Sequence, residues 1–256
     1  MRSVRRATSP IYGLLALPFL AAACDAESSQ SPQIAAEASA PAPTVQAPPA
    51  TPEPPRAPVI VVEDASCTID GEIVLFSAAD ASDRIAAILA GKPHVQGELV
   101  ALSASRDAKT PRVSAVLSAL KKVKAKGALV RTKKRDSSMG ELELAIDHAA
   151  PADCTATGAV NKDGSIAVWP SSGGVAKRFK RGFAGPDLTL GSDALQKLAA
   201  GCDSSVWYVA GDDALVWGLP FDLALATLGA PDAKAMRASH TVLLTSPPVA
   251  GRKVSE

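Results

Sequence analysis

The chain repeats one pattern, and that repetition constrains its fold more than any other feature. Each of the segments Ala81–Gly127 and Gly191–Gly229 opens with a Ser-Asp pair and a short apolar helix that stops at glycine. A short apolar strand follows in both, then a loop carrying aspartate, then a second helix. The Ser-Asp pair and the first glycine have the same spacing in the two segments. An internal repeat of this kind predicts a duplicated supersecondary unit.

The first copy spans residues 59–136 and is predicted to begin with strands. Val59–Val62 is a β-branched run, which favours a strand. Asp70-Gly71 lies between alternating residues, which is a strong hairpin signal. The remaining predicted elements are a helix over Asp83–Ala90 capped by Ser82, a strand over Leu99–Leu102, a helix that starts at Thr110-Pro111 and ends at Gly127, and a strand over Ala128–Thr132.

The second copy spans residues 137–256 and repeats this order, with an insertion at 171–190. The alternation of Leu142, Leu144 and Ile146 with acidic residues favours a strand before the hairpin. Its other predicted elements are a hairpin of Thr155–Val160 and Ser165–Trp169, a helix over Asp193–Ala200 capped by Ser192, a strand over Val206–Ala210, a helix over Leu219–Leu228 and a strand over Thr241–Thr245. The whole predicts an α+β fold of two tandem β-hairpin-α-β-α-β modules.

Residues 1–24 have the features of a targeting signal. A basic start is followed by the apolar run Ile11–Ala23, which is shorter than the about 20 apolar residues that cross a membrane. The small residues before Cys24 resemble a bacterial lipobox, which implies that Cys24 is lipidated and anchors the chain to a membrane. Ordinary secretory cleavage is the alternative. Both place the mature chain outside the cytoplasm, in the cell envelope facing the periplasm or the cell surface.

Residues 25–58 are predicted to be a tether rather than a folded segment. They are rich in Ala, Pro, Ser and Gln and have almost no large apolar side chains, so they cannot bury a core. Extended at about 3.1 Å per residue, the segment would reach roughly 100 Å. A lipid anchor, a tether and a folded domain are together consistent with a folded domain held away from a membrane.

Basic residues are locally concentrated although the formal charge of the chain is only +1. One interpretation is a solvated helix end whose lysines complement the helix dipole. The other is a surface for anionic partners such as phospholipid head groups or cell-wall polymers. Without interleaved aromatic residues, no nucleic-acid partner is expected. The candidate surface residues are Lys121, Lys122, Lys124, Lys126, Lys177, Arg178, Lys180 and Arg181.

Three cysteines remain if Cys24 carries a lipid. Cys154 is at the start of the first strand of the second copy, and Cys202 lies between the first helix of that copy and the strand that follows it. Parallel strands would bring these ends together, so Cys154–Cys202 is the expected disulfide and Cys67–Cys154 is the alternative. No CxxC or HxxxH spacing occurs, and we expect no metal site.

Catalytic patterns are missing from the sequence. No GxSxG, HExxH, P-loop or GxGxxG motif occurs, and His94, His148 and His240 are scattered. The Asp212-Asp213 pair is interpreted as a loop and helix-capping feature rather than an acid–base pair. The nearby aromatic residues Trp207, Tyr208, Trp217 and Phe221 are interpreted as core and module-interface residues, with a partner-binding patch as the alternative. The sequence therefore predicts no enzymatic activity and no cofactor.

Both copies resemble the periplasmic domain of ExbD/TolR-type biopolymer-transport proteins. The resemblance is carried by Ile69–Val74 and Leu99–Asp107 in the first copy, and by Lys162–Val168 and Val206–Asp213 in the second. It implies that each copy is a small mixed sheet with two helices on one face. The family also has a transmembrane helix with a buried acid, whereas Ile11–Ala23 contains none.

These observations predict a non-enzymatic cell-envelope lipoprotein that acts as a binding or scaffold component. The resemblance implies an accessory role in a proton-driven protein-transport complex, with peptidoglycan or envelope transport proteins as partners. The alternative is a periplasmic enzyme or small-ligand-binding protein whose site lies between the two copies. A cleft lined by both copies would favour that alternative, and a filled interface with an open sheet edge would favour the scaffold.

Overall fold

The computed structural model describes residues 56–146, 154–183, 185–198, 202, 205–228 and 240–254. The predicted signal sequence, Cys24 and all but the end of the predicted tether lie outside the described residues. Pro52–Glu256 form one compact unit. This unit is α+β and contains two mixed sheets and four described helices.

The first module is a six-stranded sheet with two helices. Its elements are β1 (Ile60–Val62), β2 (Ser66–Ile69), β3 (Glu72–Leu75), α1 (Ala81–Ala90), β4 (Leu99–Ala104), α2 (Thr110–Lys122), β5 (Gly127–Lys133) and β6 (Met139–Ala145). The strand order is β3-β2-β1-β4-β5-β6. β1, β4 and β5 are parallel neighbours, and the other pairs are antiparallel.

Local sequence explains the strands of the first module. Asp70 and Gly71 both have positive φ, at 49° and 88°, which is the conformation that a two-residue hairpin turn requires. Along β4 every second side chain is buried, from Val100 through Leu102 to Ala104. That alternation packs one face of the sheet against α1 and α2 and leaves the other face toward solvent.

The second module is a five-stranded sheet with two helices. Its elements are β7 (Thr155–Val160), β8 (Ile166–Pro170), β9 (Lys177–Phe179), α3 (Leu188–Leu198), β10 (Val206–Gly211), α4 (Gly218–Thr227) and β11 (His240–Leu243). The order is β11-β10-β7-β8-β9, with β7, β10 and β11 as parallel neighbours. The remaining pairs, β7–β8 and β8–β9, are antiparallel.

The two modules share one topology. β3-β2-β1-β4-β5 in the first has the same order, directions and helix insertions as β9-β8-β7-β10-β11 in the second. This agreement supports the prediction of two tandem modules with helices on one sheet face. β6 is an addition that has no counterpart among the described strands. It follows the predicted module boundary at Asp136 and pairs with β5 in the first sheet.

Two predicted helix caps are wrong. α1 begins at Ala81 after Asp80, so Ser82 lies inside the helix. α3 begins at Leu188, and the Asp187 carboxylate accepts a hydrogen bond from the Leu190 amide at 3.1 Å. Asp187 thus supplies the acceptor expected from Ser192, whose buried hydroxyl instead donates to the Ala226 carbonyl of α4. The predicted insertion therefore contains β9 and the first turn of α3.

The second sheet is covered on both faces. α3 and α4 lie on one face, and the carboxy-terminal segment, Ala250–Val254, packs with Trp169 on the other. The Trp169 indole donates to the Arg252 carbonyl at 2.9 Å, and the Val254 amide donates to the Ser171 carbonyl at 2.9 Å. Burial on both faces explains why β7 and β8 lack the alternating pattern of β4.

Candidate functional site

The two modules meet through the loops that follow β4 and β10. Lys109 and Val216 form an antiparallel bridge at this junction. The Thr110 amide donates to the Leu215 carbonyl at 2.9 Å, and the Trp217 amide donates to the Ala108 carbonyl at 2.7 Å. The two hydrogen bonds run in opposite directions between equivalent positions of the two loops. The modules are therefore joined by a nearly self-complementary contact.

A buried charge cluster lies beside this bridge. Arg106 donates two hydrogen bonds to the Asp222 carboxylate, at 2.9 and 2.6 Å, and Arg135 donates a third at 2.9 Å. Asp222 is only 8% exposed. The hydrogen bond with Asp222 raises the pKa of Arg106 above its usual value, against the opposing effect of burial. Both positive partners belong to the first module and the carboxylate to the second, so the cluster fixes the register of the modules.

Trp217 fills the same junction. It is fully buried, and its indole donates to the Thr132 hydroxyl at 2.9 Å, which in turn donates to the Ala104 carbonyl at 3.1 Å. Its ring lies 5.7 Å from that of Phe221, at an interplanar angle of 53°. Trp207 is also fully buried. The interpretation of these aromatics as core and interface residues is confirmed for all three rings.

A cleft of about 550 Å³, the inter-module cleft, opens on another side of the contact between the modules. α2 forms one wall, the end of β6 contributes Ala145 and Ile146, and β11 with the chain after it forms the rest. The apolar lining includes Leu117, Ile146 and Val242, each of which is mostly buried. The cleft thus has side chains from both modules around one apolar floor.

The rim of the inter-module cleft is cationic. Lys121 and Lys122 come from the last turn of α2, and Arg252 and Lys253 come from the carboxy-terminal segment. No Asp or Glu is among the described residues that line it. Lys122 also pairs with Asp83 at 2.7 Å in an exposed ion pair. The cleft combines a positive rim with an apolar interior.

The two sheets end in different kinds of edge strand. β3 closes the first sheet, and its Ile73 and Leu75 side chains are 60% and 54% exposed on the face opposite the helices. β9 closes the second sheet and presents Lys177 and Arg178. Charged side chains discourage pairing at an edge, whereas an apolar edge favours it. Of these two edges, β3 is therefore the better suited to accept an added strand, and the other two edge strands, β6 and β11, contact each other.

The predicted basic surface residues lie in two separate places. Lys121 and Lys122 line the inter-module cleft, and Lys124 and Lys126 are exposed in the loop before β5. The other four lie in or just after β9, at the end of the second sheet opposite β11. The sequence did not single out Arg252 and Lys253, which lie near Lys121 only because the carboxy-terminal segment folds back over the second sheet.

The cysteines have distinct roles. Cys154 and Cys202 form a disulfide with their Cα atoms 5.8 Å apart, which confirms the expected pairing. Cys67 is a free thiol that faces the core from β2. Burial raises the pKa of the Cys67 thiol to about 12. A thiol that stays protonated is a poor nucleophile, so Cys67 has a structural position rather than a reactive one.

The other described titratable candidates occupy turns and loops, except His240, which opens β11. The Asp212 carboxylate accepts a hydrogen bond from the Ala214 amide at 2.9 Å, as expected of a loop aspartate. His94 is exposed, with its Nδ1 atom 3.3 Å from Glu98 Oε1, and His148 lies outside the described residues. The pKa of Asp163 lies below its usual value because the Ser165 hydroxyl and amide donate hydrogen bonds to it. These contacts stabilise turns.

The described residues contain neither a metal-binding cluster nor a membrane-spanning helix. No group of three or more His, Cys, Asp or Glu side chains in them is placed to hold a metal ion. None of the described helices is both long enough and apolar enough to span a bilayer.

Comparison of the chain with protein-family models, with curated proteins and with solved structures found no match. The resemblance to ExbD/TolR-type domains therefore stays a prediction from the sequence.

Proposed function

We propose that this chain is a non-enzymatic binding and scaffold protein of the cell envelope, which holds a partner protein at the edge strand β3. The observation that carries the proposal is the apolar, open edge formed by Ile73 and Leu75. A partner segment that pairs with β3 would gain main-chain hydrogen bonds and bury both side chains.

The filled junction between the modules supports this proposal. Trp217 and the Asp222 cluster occupy the contact and hold the two sheets in one orientation. A rigid unit presents its edge strand without a large ordering cost on binding. The predicted lipid anchor at Cys24 and the predicted tether would place this unit away from the membrane, within reach of envelope partners such as a proton-driven transport complex.

Site-specific photocrosslinking in intact cells tests the edge. A photoreactive residue at position 73 of the full-length chain is expected to crosslink an envelope protein, identified by mass spectrometry. Leu75→Lys should remove that crosslink, because a lysine on the apolar edge opposes strand addition. Val175→Lys, at an exposed apolar position outside the edge, should leave the crosslink unchanged. An unchanged crosslink in Leu75→Lys would refute the proposal.

Two further measurements test the envelope role. A pull-down with the anchored chain is scored for peptidoglycan and for inner-membrane motor subunits, and recovery of neither would contradict the transport role. Cys24→Ser is expected to abolish retention in the membrane fraction. Retention equal to that of the parent chain would show that Cys24 carries no anchor.

A second candidate, a small-ligand-binding protein with its site between the modules, is favoured by one observation. The inter-module cleft has lining residues from both modules and a volume of about 550 Å³. That volume falls within the range of roughly 300–1,000 Å³ usual for ligand pockets.

A further inference from the structure

We propose that the inter-module cleft binds one anionic amphiphile, a molecule with a carboxylate or phosphate head group on a single apolar chain. This site is separate from β3 and needs no partner protein at the edge strand.

The interior of the inter-module cleft suits an apolar chain. Leu117 of α2, Ile146 after β6 and Val242 of β11 converge on it from three elements. Each lines the cleft and is mostly buried by the protein. A hydrocarbon chain in this space would remove its own surface and theirs from water, which is the main driving force for apolar ligands.

The rim of the cleft suits a negative head group. Lys121 and Lys122 partly offset the negative end of the α2 dipole. Arg252 and Lys253 belong to no helix and are exposed, so they add positive charge to the rim that no helix dipole offsets. The described residues that line the cleft include four basic side chains and no acidic one, a charge balance that favours a negative head group.

The cationic rim is held in place by the fold. The Trp169 indole binds the Arg252 carbonyl, and the Ser171 carbonyl binds the Val254 amide, on either side of Lys253. The Gly174 amide donates to the Gly251 carbonyl at 2.9 Å and secures the segment before Arg252. The carboxy-terminal segment is thus anchored through its backbone, which leaves its side chains available to a ligand.

Fluorescent-probe displacement tests the proposal with the full-length chain carrying Cys24→Ser, exported and purified without detergent. The probe is 11-dansylaminoundecanoate, and the competitors are laurate, dodecyl phosphate, dodecanol, acetate and inorganic phosphate. Laurate or dodecyl phosphate, whichever head group the rim prefers, should displace the probe at least tenfold better than dodecanol, which lacks the charge. Acetate and inorganic phosphate, which lack the chain, should be similarly weak.

Variants locate the binding on the cleft. Arg252→Ala/Lys253→Ala should weaken binding about tenfold, and the matched pair Lys177→Ala/Arg178→Ala on β9 should not change it. Ser118→Trp, which fills the cleft from α2, should abolish binding, whereas Ser77→Trp on an exposed loop should not. Near-ultraviolet circular dichroism confirms that each variant is folded.

Several outcomes would overturn the proposal. Equal displacement by dodecanol would show nonspecific apolar binding, and equal displacement by inorganic phosphate would show a simple anion site. Binding only to anionic vesicles, with none to laurate or dodecyl phosphate, would assign the basic rim to a membrane surface. Ile73→Lys/Leu75→Lys should bind the probe as the parent does, so failure at β3 and failure at the cleft are distinguishable.

Discussion

Arg106 and Asp222 form a two-point ion pair across the junction of the modules, with N–O distances of 2.9 and 2.6 Å. Removing Arg106 takes two of three hydrogen bonds from a carboxylate that is only 8% exposed, and removing Asp222 leaves the partly buried Arg106 guanidinium without an acidic partner. The pair therefore makes the orientation of the modules sensitive to single substitutions at either end.

Asp222→Ala is expected to lower the free energy of unfolding by about 2 kcal/mol, because it removes three charge-assisted hydrogen bonds across the junction, two from the partly buried Arg106 and one from the more exposed Arg135. Urea denaturation followed by tryptophan fluorescence measures the change. Lys122→Ala breaks only an exposed ion pair and should cost no more than about 0.5 kcal/mol. Equal losses for the two variants would show that the Asp222 cluster contributes no more than a surface pair.

Thr132→Val should destabilise the protein by about 2 kcal/mol, because it leaves the buried Trp217 indole without an acceptor while nearly conserving volume. Thr132→Ser keeps the hydroxyl and is the matched control, with a smaller loss expected. Urea midpoints of the two variants measure the difference. If the serine and valine variants were equally stable, the hydrogen bond from the Trp217 indole to the Thr132 hydroxyl would contribute nothing to stability.

Loss of the disulfide is expected to cost up to about 4 kcal/mol, given the sequence separation of 48 residues that it closes. Thermal unfolding of Cys154→Ala/Cys202→Ala, with and without dithiothreitol, measures this. The parent chain and Cys67→Ala should both lose stability on reduction, and the double variant should not respond. A double variant that still responds to dithiothreitol would contradict this assignment.

The buried Cys67 thiol should make the stability of the folded protein depend on pH in the alkaline range. The unfolded thiol ionises near a pKa of about 8.5, whereas the folded thiol stays protonated up to about 12. The folded state therefore binds more protons above pH 8.5, so stability falls as pH rises through that range.

Urea midpoints at pH 7, 8.5 and 10 for the parent and for Cys67→Ala measure this contribution. The advantage of the parent over the variant should narrow as pH rises, because other titrating groups are common to both. A difference that is constant with pH would show that the Cys67 thiol ionises equally in the two states.

Local signals predicted most of the fold. Asp70-Gly71 specified its hairpin because the turn requires two positive φ values, and Pro111 marked the first turn of α2 because proline is tolerated only there. The predicted helix cap at Ser192 is wrong because Asp187, five residues earlier, accepts the hydrogen bond at the start of α3. The Ser192 hydroxyl is buried and donates to the Ala226 carbonyl instead. Competing caps cannot be ranked without the packing around them.

The candidate sites were less accessible to sequence reasoning. Lys121 and Lys122 stood out as part of a basic run, but Arg252 reaches the same cleft only through the fold of the carboxy-terminal segment. Asp222 offered one usable signal, because an acid inside an otherwise apolar helix needs a buried partner. Arg106 could not be named as that partner, because the contact joins residues far apart in the chain.

The bridge between Lys109 and Val216 has a consequence for assembly. Two separate copies of one module, meeting about a twofold axis, would have to repeat every side-chain contact on both sides. Here the backbone hydrogen bonds repeat with an offset of 107 residues, since Thr110 corresponds to Trp217 and Ala108 to Leu215. The same offset places Asp213 and Ala115 at the positions equivalent to Arg106 and Asp222, and these two residues cannot form a matching ion pair. Covalent linkage lets each half diverge alone, fixes their ratio at one to one, and makes their association independent of protein concentration.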